Sequence, residues 1–92
     1  MDNDTKEILL IMQEECAEVT QAISKCFRFG PDQVRPGQGP DEYQTNIQRL
    51  EEELGDLEAM IDLIVKARVG ITVKGITEAK KQKFLKLKEW SN

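Results

Sequence analysis

Five carboxylates hold most of the chemistry this sequence offers: Glu14, Glu15 and Glu18 in one stretch, Glu53 and Asp56 in another. Glu15 and Glu18 are three residues apart, and so are Glu53 and Asp56. Residues three apart on a helix face the same way, so each pair can grip one ion from one side. The chain has no histidine. That removes His-based acid–base catalysis and most zinc sites. All-oxygen ligands favour Mg²⁺, or Mn²⁺, over zinc.

The helical faces decide whether these groups form a site or an ordinary solvated surface. At about 100° per residue, Glu15 falls within roughly 20° of Ile8 and Cys26, inside an apolar arc. Glu18 falls beside Ile11 and Ala22, at the edge of that arc. Glu53 falls between Met60 and Ile64, and Asp56 between Leu63 and Ala67. Glu51, Glu52, Glu58 and Asp62 take the opposite face. Either acidic string alone reads as a solvated helix surface. Two pairs turned into apolar arcs do not, because burying unpaired like charges is costly and calls for a cation.

Three helices must position these residues. The first is expected over 5–29, opened by Asp4 with Glu7 as a capping box. Ile8, Met12, Val19, Ile23 and Cys26 give it an apolar face. Gly30 and Pro31 stop it. The second is expected over 46–68, opened by Thr45 with Gln48, striped by Ile47, Leu50, Leu54, Leu57, Ile61 and Ile64, and ended by Gly70. The third is expected over 76–90. Residues 71–75 read equally as a turn, a bent helical start or a short extended piece. Between the first two helices, 30–45 holds three Gly and three Pro and reads as a loop, either disordered or functional, for example a lid. Asn46 opens the second helix, either as part of its start or as a substrate contact. The expected architecture is all-α, an antiparallel helical bundle in a single domain over 1–92.

A chain of 92 residues buries too little surface to be comfortable alone, so an oligomer is expected. Cys16 and Cys26 lie about 15 Å apart on one helix and cannot pair there; buried thiols are expected. Phe27, Phe29 and Trp90 are likewise expected in the core. The net charge of −4 argues against a nucleic-acid coat, though not against a nucleotide. No apolar run suits a membrane span, and the acidic N-terminus lacks a signal-peptide pattern, so a cytoplasmic location is expected.

Glu14-Glu15-Cys16-Ala17-Glu18 followed by Glu52-Glu53-Leu54-Gly55-Asp56 resembles the EExxE and ExxD motifs of MazG-like nucleotide pyrophosphohydrolases, of the all-α NTP pyrophosphatase superfamily. The resemblance extends to Lys25-x-x-Arg28-Phe29-Gly30, Asn46 and the Lys-rich final helix, and looks closest to small phage-type members. The 34 residues between Glu18 and Glu53 exceed the usual gap, because of the Gly/Pro-rich loop. The resemblance implies Mg²⁺-dependent hydrolysis of a (d)NTP to the monophosphate and pyrophosphate. It implies Glu15, Glu18, Glu53 and Asp56 as metal ligands. It also implies dimers or tetramers built of four-helix-bundle units.

Supporting roles follow from the chemistry. Glu14 or Glu15 is the candidate acceptor of the water proton. Phosphates need cations. Lys80 and Lys83 interrupt the apolar face made by Ile76, Leu87 and Trp90, either as snorkelling side chains or as phosphate contacts from the same or a neighbouring subunit. Lys25 and Arg28 are further candidates, although a helix C-terminus favours cations in any case. Three rivals stand beside this reading: phosphoribosyl-ATP pyrophosphohydrolase, a dUTPase-like enzyme, and a non-catalytic helical adaptor or oligomerisation module.

Overall fold

Side-chain caps set where each helix begins. A computed structural model of the chain describes residues 1–34 and 43–91. The first helix, α1, spans Asn3–Phe29. Its cap is Asp2, not the expected Asp4: the Thr5 amide donates to Asp2 Oδ1 at 2.7 Å, and this starts the helix two residues early. The same amide holds the Asp2 carboxyl below its ordinary value, since the ionised form is the better acceptor. Gly30 ends α1 as expected, with φ 94 and its amide donating to the Cys26 carbonyl at 3.0 Å.

The second helix, α2, spans Asn46–Lys66 and opens with the expected reciprocal cap. The Gln48 amide donates to Thr45 Oγ1 at 3.1 Å, and the Thr45 amide donates to Gln48 Oε1 at 2.9 Å. It stops short of Arg68, because Arg68 takes a left-handed φ of 56 and Gly70 one of 105. The third helix, α3, spans Val73–Ser91. It starts three residues before the expected position, because Thr72 caps it: the Gly75 amide donates to Thr72 Oγ1 at 2.9 Å. Residues 73–75 are thus the first turn of α3.

Asn46 ties α1 to α2. Its side chain is 1% exposed, and Nδ2 donates to the Gly30 carbonyl at 2.9 Å. The Asn46 amide donates to the Gln33 carbonyl, and the Ile47 amide to the Pro31 carbonyl. Val34 and Thr45 add an isolated antiparallel bridge. Both ends of the 30–45 stretch therefore meet at one knot, and the helices leave it antiparallel. At the far end, Thr5 and Leu9 share a hollow with Val69, just past α2. The lid reading falls on 35–42, outside the described residues.

The chain is all-helical among the described residues, and its one extensive helix–helix packing is α1 against α2. Ala22, Met60 and Ile64 are the buried apolar residues of that seam. α3 makes only marginal contact with either helix. The molecule measures 43 × 42 × 16 Å, flat in one direction and broad in the other two. Its radius of gyration is 16.3 Å. A compact chain of this length would have about 12 Å.

With α1 and α2 packed only on each other and α3 nearly apart, most of each helix surface is uncovered. That overturns the expected burial of three aromatics: Phe27 is 87% exposed, Trp90 80% and Phe29 50%. Cys16 is exposed as well, while Cys26 is half-buried. Cys16 sits one residue round the helix from Glu15, off the seam. None of the described helices is long and apolar enough to cross a membrane.

Candidate metal centre and the adjoining cleft

Glu53 sits where its helix meets α1, and only 6% of its surface is exposed. Glu15 approaches from α1, half-buried, and Asp56 follows Glu53 three residues on, at the rim. One carboxylate oxygen from each of Glu15, Glu53 and Asp56 lies within 4.8 Å of the others. Oxygens around a hard divalent cation sit about 2.0–2.6 Å from it, so opposed ligands are roughly 4–5 Å apart. The donor set and its spacing fit such an ion. Exposed acidic groups often cluster without one; a buried member is what separates this cluster from those.

Burial raises the Glu53 carboxyl above its ordinary 4.5. The Arg49 charge opposes that shift, while the charges of Asp56, Glu18 and Glu15 add to it. Arg49 stands one helical turn before Glu53, with Nε 3.4 Å from Glu53 Oε1.

The other expected residues are distributed unevenly. Glu18 is exposed and lies outside the close triplet, but it shares a cleft with Glu53. The remaining lining of that cleft is Gln21, Ala22, Lys25 and Arg49. Lys25 is half-buried there. Glu14 is exposed and outside the triplet. Arg28 does not line the cleft; its guanidinium lies 4.9 Å from the Phe29 ring centroid. Lys80 and Lys83 are exposed on α3 and do not line the cleft of their own chain. Lys83 Nζ instead lies 5.7 Å from the Trp90 ring centroid.

Arg49 is the cleft residue that the motif reading missed. The signal was in the sequence: four residues before Glu53, it falls about 40° from it on the wheel, on the inward face. Against known proteins, the chain matches no family, no curated protein and no solved structure.

Proposed function

We propose that this chain is a magnesium-dependent nucleoside triphosphate pyrophosphohydrolase of the MazG-like kind, turning (d)NTP and water into (d)NMP and pyrophosphate. One observation carries the reading: Glu15, Glu53 and Asp56, drawn from the two acidic motifs, converge within 4.8 Å around a buried carboxylate. These three, with Glu18 alongside, would hold Mg²⁺ or Mn²⁺. Such an ion, when bound, supplies positive charge against phosphate oxygens and acidifies water.

In this reading, water attacks the α-phosphorus, the α–β anhydride bond breaks and pyrophosphate leaves. The water proton passes to a carboxylate. Glu15, inside the cluster, is better placed for this than Glu14. Lys25 meets phosphate oxygens from the cleft. Arg28, at the end of α1, stays a second candidate for that role.

Lys80 and Lys83 would come from a second copy, in a dimer or tetramer whose pooled helices form four-helix units. Several observations support association. The chain is flat in one direction, and Phe84, Leu87 and Trp90 are exposed along α3. The accessible surface is 7501 Å². A compact chain of this mass would expose about 5,400 Å². Six lysines against two glutamates give Val73–Ser91 a charge of +4; the total of −4 therefore leaves −8 on the other residues. α3 is thus complementary to the acidic α1/α2 pair of another copy. A cytoplasmic location and no nucleic-acid polymer as partner belong to the same proposal.

The test is pyrophosphate release from a panel of NTPs and dNTPs, with Mg²⁺ and with EDTA, using wild type and Glu53→Gln. Turnover should need both the metal and Glu53, and should fall at least about 100-fold in the variant. The exposed apolar residues of α3 also favour a second reading, a helical adaptor. No release from any nucleotide in the panel, phosphoribosyl-ATP and dUTP included, would leave that reading standing and remove the enzyme.

A further inference from the structure

The α1/α2 pair has two unlike sides. One carries the cleft described above. On the other, roughly opposite Lys25 on α1, lie Thr5, Leu9, Cys16, Thr20, Ile23 and Phe27. The arc of about 100° that holds them carries no charged side chain between Thr5 and Phe27. Across the antiparallel seam, α2 turns Ile47 and Leu54 to the same side, 47% and 45% exposed. Ile23 is 40% exposed, and Cys16 is exposed too. Glu51 and Glu58 stand only at the outer edge of this face.

The two ends of the α1 stripe differ in shape. Phe27 is 87% exposed, a ring standing out with almost no cover. At the other end, Thr5 and Leu9 join Met1, Asp2 and Val69 around a mostly apolar hollow. Leu9 and Phe27 are eighteen residues apart, which is about five whole turns. They therefore point the same way, about 27 Å apart. A knob and a socket placed like this cannot meet within one chain. A twofold axis perpendicular to α1, level with residue 18, brings the knob of each copy onto the socket of the other.

We infer that the uncharged side of the α1/α2 pair is a contact between two copies of this chain, with Phe27 of each copy seated in the hollow at Leu9 of the other. Three observations name a second copy as the occupant. The face complements itself in shape, once at each end. Its lack of charge suits a like face better than α3, whose apolar stripe is interrupted by Lys80 and Lys83. The chain also has surface to give: its 7501 Å² is roughly 2,000 Å² more than a compact chain of this mass exposes. Each partner in a standard interface gives up about 800 Å². Stacked in this way, two α1/α2 pairs make one four-helix unit with both clefts turned outward. The contact rests on the association proposed above, and not on the metal or the nucleotide. It adds to α3 a second contact of the same assembly, and each is needed to hold it.

The test uses the full chain, with sedimentation over a range of concentrations and thiol cross-linking. Phe27→Ser should weaken self-association by about 100-fold or more, since two rings leave the contact at once. Its helix content should stay that of wild type, because the ring is exposed in the single chain. Phe27→Leu should recover most of the loss, since leucine still fills an apolar hollow. In a Cys26→Ser background, the two Cys16 positions lie about 6 Å apart along helices packed roughly 8–10 Å from each other. That is too far for a disulfide but within reach of a short bis-maleimide. The reagent should join two chains when Phe27 is present and fail to join them in Phe27→Ser. In a Cys16→Ser background, the two Cys26 positions lie about 24 Å apart and should not be joined. A wild-type assembly whose mass Phe27→Ser leaves unchanged, or which is joined through Cys26 and not through Cys16, overturns this contact while association through α3 stands. A wild type that sediments as one chain at every concentration removes the association itself, and this contact with it. Pyrophosphate release still decides the enzyme reading separately.

Discussion

The α1/α2 pair and α3 solve the same problem in opposite ways. α1 and α2 meet over a seam in which Ala22, Met60 and Ile64 are buried, and the knot at Asn46 fixes their relative height. That register is what sets Glu15 opposite Glu53. α3 is comparable in length to α2, and its start is capped by Thr72, yet Phe84, Leu85, Leu87 and Trp90 all remain exposed. Local capping is therefore enough to define a helix here, but not to give it a place in a core. The seam puts acidic groups where they are expensive, and α3 puts lysines where apolar residues would be expected. Both departures make sense if the acidic pair is completed by a cation and α3 by another chain.

The strongest way to break this contrast is to charge the apolar face of α3. Phe84→Glu combined with Leu87→Glu removes two side chains that would be buried on association, each contributing about 1.5–3 kcal/mol. The expected result by light scattering is a fall in mass to a single chain. Thermal unfolding should move down by 10 °C or more, in line with a loss of about 3–6 kcal/mol at this size. Helix content by circular dichroism should mostly remain, since capping is untouched. An unchanged mass and melting temperature would mean that α3 is a solvated arm after all, and the contrast with the seam would lose its meaning.

A smaller effect should come from the knot. Asn46→Asp keeps size and shape but replaces the Nδ2 donor with a second acceptor facing the Gly30 carbonyl, now 2.9 Å from the amide nitrogen. At neutral pH this should cost about 2 kcal/mol. A buried carboxyl facing another acceptor has a raised pKa in the fold. Its protonated form can donate again, so the loss should shrink as pH falls below the unfolded value and grow as pH rises through the folded one. Chemical denaturation at pH 4 and pH 7 measures both arms. A loss of equal size at both pH values would mean that the Asn46–Gly30 bond is not what holds the helices in register.

The sequence was a better guide to the seam than to its surroundings. Periodicity located three helices, and the Thr45/Gln48 box marked the start of α2 to the residue. The inward turn of Glu53 was legible because a wheel needs only the helix, not its neighbours. What failed depended on the neighbours. Burial of Trp90, Phe27 and Cys16 was inferred from residue type, but α1 and α2 pack only on each other and α3 stands nearly apart, so most of each helix surface is uncovered. Asp2 and Thr72 were missed as caps because several polar residues precede each helix, and only geometry selects which one reaches the third amide. Asn46 could not be assigned from its type, since its partner, Gly30, is sixteen residues away. Arg49 was passed over because an Arg four residues before a Glu is ordinary on a solvated helix. Its meaning came from the burial of Glu53.

The smallest effect is the most specific to the seam. The Glu53 carboxyl is raised mainly by burial, so its protonated form suits the metal-free fold better than its charged form. The stability this reflects is fully present below the unfolded value and is lost as pH rises through the folded one. Glu53→Gln removes the titration. In EDTA at pH 7 the variant should therefore melt higher than wild type, by a few degrees, equivalent to about 1 kcal/mol or less. The lost pairing with Arg49, whose side chain is 34% exposed against 9% for Glu53, offsets part of the gain. Toward pH 4 the difference should close. With millimolar Mg²⁺ the order should reverse, because only wild type gains from binding the ion. A variant that melts lower than wild type in EDTA at neutral pH would show that Glu53 is already well neutralised without a metal. The seam would then be a finished structure, and its acidic centre an internal ion-pair network in place of a site.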